Sequence, residues 1–346
     1  MTLLYFIIVL GVTVFIHELG HFIFAKKSGI YVYEFSIGMG PRLFKFNRKD
    51  DETEYSIRLF PIGGYVSMAG EDIEVDKNIP DDKQMYNKPW INRFLTIIAG
   101  VLFNFLLAIV LLFIVGLNAG VPNNKNKIIE LDKNYPIYKT NIKTGDTILK
   151  VNNKKVRNQD MLLLELTIHN GKSVNLTVKH KDNTIEKVKV KPKKVKIDGK
   201  VGYKYGLVLD NSYKRGFLPS LKFAFTKVYD LLEQMVKIIL YLITGKLSLN
   251  NLSGPVGIYN IVGESAKAGF INIIYLIAYL CVNVGFINLI PLPAFDGGRA
   301  FFLIIEKIRR KKMNPKIENT IHTIGFVLLM ILMIVITYND IVRLIK

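Results

Sequence analysis

Four runs of apolar residues, at about 3–25, 94–117, 270–289 and 321–338, reach the roughly 20 residues a helix needs to cross a bilayer. Between them the pattern changes. Residues 31–69 alternate in short stretches at 32–37, 43–46 and 53–60, broken by Gly38-Met39-Gly40-Pro41, by 47–51 and by Pro61-Ile62-Gly63-Gly64. That punctuation predicts a small antiparallel β-meander beside the first span. It is either a cytoplasmic plug or connector, or an edge strand that holds an extended substrate open for hydrolysis. Residues 72–88 are polar and read as a loop. Residues 121–213 are soluble in character, with strand-like 147–151, helix-like 161–168 and strand-like 174–178 and 187–190, the order expected of a mixed domain. Residues 222–244 place Lys227, Asp230, Glu233 and Lys237 among apolar positions, which suits an amphipathic helix at the outer interface better than a span. Gly254-Pro255-Val256-Gly257 breaks the helical pattern.

The chain therefore divides into a first transmembrane helix (1–26), the meander with its loop (27–89), a second helix (90–120), the soluble domain (121–213), an amphipathic region (214–268), a third helix with an unwound end (269–299), a basic cytoplasmic loop (300–316), and a fourth helix with its tail (317–346). Composition agrees: half of the 346 residues are hydrophobic and mean hydropathy is +0.26, so a polytopic α-helical membrane protein is expected. The formal charge of +19 alternates with the spans and forms no basic stripe with interleaved aromatics. An anionic lipid surface, and no nucleic acid, is its expected counterpart. Lys26, Lys27, Lys45, Arg48, Lys49, Arg58, Lys88 and Arg93 mark one side of the membrane, and Lys307, Arg309, Arg310, Lys311 and Lys312 mark it again. By the positive-inside rule that side is cytoplasmic, with the N-terminus and the soluble domain outside. The first run is longer than a signal-peptide core and lacks its basic start and small-residue cleavage site. Cys281 lies in an apolar run as a small hydrophobe, so no disulfide framework and no thiolate zinc site is expected.

Within the first span stands His17-Glu18-Leu19-Gly20-His21. Histidines four apart project from one face of a helix, and a glutamate beside the first reaches a water held there, the HExxH arrangement of zinc peptidases. Ionisable groups in a span cost roughly 2.5 kcal/mol or more each and persist where they face a functional interior. Catalytic zinc takes three protein ligands and keeps a fourth position for water. The segment Asn288-Leu289-Ile290-Pro291-Leu292-Pro293-Ala294-Phe295-Asp296-Gly297-Gly298 unwinds the third span at the same cytoplasmic depth, and Asp296 is the expected third ligand. Its alternative is to cap the helix beginning near Gly297. His322, on a separate span near a charged boundary, and His169 and His180, in the soluble domain, fit less well. Glu18 is the expected general base, passing its proton later to the leaving amine. Asn288 serves the substrate backbone or a developing oxyanion, or else steadies its own broken helix. Asn104, inside the second span, makes a helix-to-helix hydrogen bond or lines the cavity.

HELGH, Gly38 to Pro41 (GMGP), Pro61 to Val66 (PIGGYV), Gly254 to Ile258 (GPVGI) and NLIPLPAFDGG together resemble the site-2 protease family, in its bacterial RseP-like branch, over nearly the whole chain. The resemblance implies that His17, His21 and Asp296 ligate Zn2+, that Glu18 is the catalytic acid/base, and that Asn288, Pro291 and Pro293 act near the substrate. It implies that the meander carrying Gly63, Gly64 and Tyr65 is a membrane re-entrant element. It makes the outer domain a single PDZ domain, with IKTGDTILKVNNKKV as its usual segment. It also implies a multi-pass protein of a bacterial cytoplasmic membrane, acting on single-span proteins first trimmed outside by a site-1 protease, such as anti-sigma factors, or on remnant signal peptides. Val101 stands where relatives commonly have proline. A catalytically silent PDZ scaffold of the same fold is the competing expectation, opposed by the intact Glu18 and ligand set. An ion transporter would carry more polar positions along several spans.

Overall fold

The computed structural model describes residues 1–71, 76–169, 171–197, 200–248 and 254–345, so 72–75 of the polar loop and 249–253 of the amphipathic region lie outside the described residues. Among the described residues four helices are long and apolar enough to cross a membrane: α1 (Thr2–Lys27), α2 (Trp90–Ala119), α6 (Phe270–Leu289), and residues Ile317–Val342 of α8 (Pro315–Ile345). The chain forms two compact units. One comprises Met1–Asn118, Phe223–Leu232 and Ser248–Lys346; the other comprises Ala119–Lys222 and Glu233–Leu247.

In the first unit, α1 is followed by two long strands, β1 (Val32–Asn47) and β2 (Glu54–Met68), which pair antiparallel. Each is bent, and positive φ at Gly38, Gly40 and Gly63 supplies the bends where a Cβ would be strained. The register corrects the simple meander. Phe35 faces Val66 on one side and Tyr55 on the other, and Tyr55 in turn faces Phe46. Along residues 34–37 and 54–57 the partner numbers rise together, so this inner pairing is not the antiparallel one that the sequence order suggests. Residues 64–68 add a strand segment that alternation alone did not mark. Glu34 ties the sheet together, accepting from the Arg58 guanidinium at 2.9 and 3.0 Å and from the hydroxyls of Ser56 and Tyr65. Phe35, Val66 and Met68 from the strands pack with Ala25 of α1, Ile97 of α2, and Ala300 and Leu303 of α7 (Asp296–Arg309) in one core. That core seats the sheet against the three helices that carry the polar motifs.

Two segments differ from the sequence expectation. Residues 300–316 are not simply a basic loop, because α7 runs through most of them, with Ala300 and Leu303 buried. In addition, Gly254-Pro255 opens a helix, α5 (Pro255–Lys267), which packs on α1 and α6 and touches α8. Proline at the first turn loses no hydrogen bond and has a φ already suited to the helix. The α5 start is capped from a distance: Asp340 of α8, buried, accepts the Gly254 N–H at 2.8 Å and the Gly257 N–H at 2.9 Å through one carboxylate oxygen. Asp340→Ala strips both donors and is expected to lower stability by about 1–3 kcal/mol, seen as an earlier thermal unfolding in detergent. Asp340→Asn keeps an acceptor and should lose less; equal melting of all three proteins would remove the cap from the account.

The second unit is a mixed domain. Its four-stranded sheet has the order β6-β5-β7-β8, from β5 (Thr147–Val151), β6 (Lys154–Lys155), β7 (Val174–Lys179) and β8 (Ile185–Val190). Three further strand pairs join β3 (Val121–Pro122) to β12 (Tyr213–Lys214), β4 (Ile128–Leu131) to β11 (Leu207–Leu209), and β9 (Lys193–Ile197) to β10 (Lys200–Lys204). Helix α3 (Gln159–Ile168) starts at Asn158, whose side chain accepts the Met161 N–H. Ile128, Ile148, Val151, Met161, Leu162, Leu176 and Val178 form the centre of its core. The long helix α4 (Phe217–Ile243) has residues in both units.

Candidate active site

The site is built from α1, α2 and the loop that leads into α7. A four-residue spacing on α1 turns His17 and His21 to one side, and both are buried. Close helix packing makes room for them. A Cβ on Gly20 would stand 2.5 Å from the Ala99 carbonyl oxygen, so α2 approaches α1 through two small residues, Ala99 and Gly100. A Cβ on Gly100 would fall on His21 Nε2 and 2.8 Å from His17 Cε1 and Nδ1, so only glycine leaves the two imidazoles their space.

Asp296 arrives from the other side. Helix α6 stops at Leu289, because Pro291 and Pro293 cannot continue it, and Ala294 turns the chain with φ +78°. Gly297 and Gly298 then start α7 against the loop itself: Cβ atoms there would come within 2.5 Å of the Leu289 carbonyl carbon and 3.0 Å of the Leu292 carbonyl carbon. Asp296 is the first residue of α7, not its cap; that position belongs to Phe295, and no side chain caps it. The helix is pinned to α2 by the paired Arg93 and Glu306 at 2.7 and 3.1 Å and by the Trp90 indole N–H on the Leu303 carbonyl at 2.7 Å. Arg299 pairs with Glu71.

These elements bring three ligand atoms together. Asp296 Oδ2 lies 3.0 Å from His17 Nε2 and 3.3 Å from His21 Nε2, and the two Nε2 atoms are 3.2 Å apart. Around a tetrahedral zinc with bonds of about 2.0–2.1 Å, ligand atoms stand about 3.3 Å from one another. Asp296 Oδ2 is buried and accepts no hydrogen bond, as a lone pair kept for a cation would be. Two neutral imidazoles and one carboxylate form a donor set that suits zinc and leaves one position open. Among the described residues this is the one His/Cys/Asp/Glu group able to hold a metal ion.

The remaining sequence candidates divide around this point. Glu18, part-buried, follows His17 on α1, and its Cγ is 3.4 Å from where a Gly64 Cβ would be, so β2 runs beside it. Asn288 directs its amide nitrogen to 3.5 Å from His17 Nε2. Gly63 and Gly64 belong to the part of β2 next to Glu18, whereas the Tyr65 hydroxyl is turned into the Glu34 and Arg58 group of the sheet. Pro291 is exposed, and Pro293 packs on Gly325 of α8, where a Cβ would meet its carbonyl carbon at 2.9 Å. His169 and His180 stay in their own unit. His169 donates to the Glu165 carbonyl, and His180 lies 2.8 Å from Asp146, whose hydrogen bond raises the His180 pKa.

Two contributions escaped sequence reasoning. His322 is no ligand, but its Nδ1 accepts the N–H of Ala294 at 3.0 Å, holding the strained turn two residues before Asp296. Thr96 accepts the His21 Nδ1–H on its carbonyl at 2.9 Å, which leaves Nε2 as the free lone pair. A glycine with a buried asparagine four residues on in a membrane helix, here Gly100 and Asn104, is the signal that could have located this face.

Proteins of similar sequence include named zinc metalloproteases. The profile of peptidase family M50 matches residues 5–332. The regulator of sigma-W protease RasP of Bacillus subtilis is 33% identical, covering 99% of both chains, and the zinc metalloprotease RasP of Bacillus licheniformis is also 33% identical over 99% of both. A protein of Clostridium acetobutylicum is 37% identical over 97% of this chain and 96% of its own. With a single model spanning almost all of its length and full-length relatives of this kind, the chain belongs to peptidase family M50, the site-2 proteases, as a multi-pass zinc metalloendopeptidase.

Proposed function

We propose that this protein cuts peptide bonds inside the transmembrane segments of single-span proteins, with His17, His21 and Asp296 holding the zinc and Glu18 moving the proton. The observation that carries this reading is the meeting of three ligand atoms, 3.0–3.3 Å apart, drawn from a membrane-length helix and from the unwound end of another.

Zinc, when bound, supplies Lewis-acid polarisation of the substrate carbonyl and makes water a better nucleophile near neutral pH. Glu18 takes the proton from the attacking water and returns it to the leaving amine. The Asn288 amide donates a hydrogen bond to the substrate backbone or to its developing oxyanion. The strand at Gly63 and Gly64, beside Glu18, pairs with the substrate as an added strand, which keeps the scissile amide from remaining inside a helix. Pro291 and Pro293 hold the unwound loop open at the same depth.

The lysines and arginines that flank the spans support a site toward the cytoplasmic side of a bacterial cytoplasmic membrane with anionic lipid, the N-terminus outside, and the domain of the second unit, read as PDZ, outside as well. RasP of B. subtilis is named a regulator of a sigma factor, which supports membrane-anchored anti-sigma factors, trimmed beforehand by a site-1 protease, as the substrate class. The full chain in lipid vesicles with a single-span reporter tests the reading. Mass spectrometry should find the cut within the reporter's apolar segment, a zinc chelator should stop it, and added zinc should restore it. Cleavage only in the reporter's soluble parts, or cleavage indifferent to the chelator, would sink the proposal.

A further inference from the structure

The two ligand histidines need opposite things from their two nitrogens. Nε2 must keep its lone pair, so Nδ1 carries the proton and must find an acceptor. For His21 the acceptor is the Thr96 carbonyl. For His17 the neighbour is Asn104, fully buried on the same helix, with its amide nitrogen 3.4 Å from Nδ1. In that orientation Asn104 Oδ1 is buried and has no hydrogen-bond partner. With Nδ1 protonated, that orientation also sets two donors against each other. The two ends of an amide have the same shape and exchange by a half-turn about χ2. That half-turn gives the orphaned oxygen a donor, His17 Nδ1–H, and leaves Nε2 free on the side of Asp296.

We propose that Thr96, Gly100 and Asn104 form one stripe of α2 that presents both imidazoles to the metal, and that Asn104 is the positioning residue for His17, accepting its Nδ1–H through Oδ1. Thr96, Gly100 and Asn104 are four apart in turn and so share a face. The outer two take the two Nδ1 protons, and the glycine between them clears the rings. This inference rests on the zinc reading above and assigns the stripe a task that the ligand set alone leaves open.

Zinc affinity of the purified full chain, measured by chelator competition in detergent, tests it without reference to activity. Asn104→Leu keeps the branching at Cγ but has no acceptor, and it should bind zinc about 10–100-fold more weakly. Asn104→Asp is acceptor-only and should return to within about threefold of the parent. A helix-to-helix bond made through the amide N–H groups predicts the reverse for aspartate, which has none. Parent-like zinc affinity in Asn104→Leu, or a loss in Asn104→Asp as large as in the leucine variant with unchanged melting, overturns the proposal. Asn104→Ala repeats the comparison if the leucine variant does not accumulate. A parent chain that binds no zinc would defeat the zinc reading itself, an outcome distinct from either of these.

Discussion

Glu18→Gln is expected to bind zinc as the parent chain does and to cleave a single-span reporter about 10²–10⁴-fold more slowly, the span attributed to a positioned acid/base. Glutamine matches glutamate in size, and Glu18 is not among the three converging ligand atoms, so neither packing nor the donor set is disturbed. What disappears is the ability to take a proton from water and return it to the amine. The side chain follows His17 on α1, and its Cγ lies 3.4 Å from where a Gly64 Cβ of β2 would stand. Elemental analysis of the purified variant beside the reporter assay checks both halves. A fully active Glu18→Gln would remove the base from the mechanism; an inactive but zinc-free one would mean that Glu18 acts on the fold of the site.

The second large effect is expected at a residue without a side chain. Gly100→Ala should reduce zinc affinity by more than about 100-fold, beyond the 10–100-fold usual for groups outside the ligand set, and cleavage should fall with it. In a helix interior alanine is normally the better residue by about 0.8–1.0 kcal/mol, so helix propensity alone predicts a gain in stability. Sterics predict the opposite at the site. The added methyl would stand 2.4 Å from His21 Nε2 and 2.8 Å from two atoms of the His17 ring. Neither helix can give way, because Gly20 already touches the Ala99 carbonyl and His21 is tied to Thr96. Thermal unfolding and chelator competition on the same preparation separate the two effects. A variant with raised melting and undiminished zinc binding would show that the histidines have room to retreat.

The sequence carried the pair His17 and His21, because a four-residue spacing fixes a shared helix face whatever surrounds it. Charge counts at the ends of apolar runs also pointed to Asp296 as their partner, and its carboxylate stands 3.0 Å from His17 Nε2. Elements written in a regular period were also visible: α1, α2, α6, α8 and the strands β5 and β7 lie where apolar spacing puts them. The helix starting at Gly254-Pro255 was not, because the acceptor that caps it, Asp340, is far away in sequence. The strand at 64–68 was hidden for a similar reason. Its partners at 34–37 are shared with a second neighbour, and alternation records which face a side chain takes, not which strand lies next to it.

What the sequence determined by itself is local chemistry and local period: which segments are apolar enough for a bilayer, which residue types could hold zinc, and which of them a helix presents together. Only the tertiary structure decided how close they come. The separation of Asp296 from His17 and His21 depends on Gly20, Gly100, Gly297 and Gly298 letting backbones touch, on Ala294 held in a left-handed turn by His322, and on Arg93 locking α7 through Glu306. Such contacts join residues that no period relates, since they arise from the excluded volume and hydrogen bonding of elements that meet only after folding.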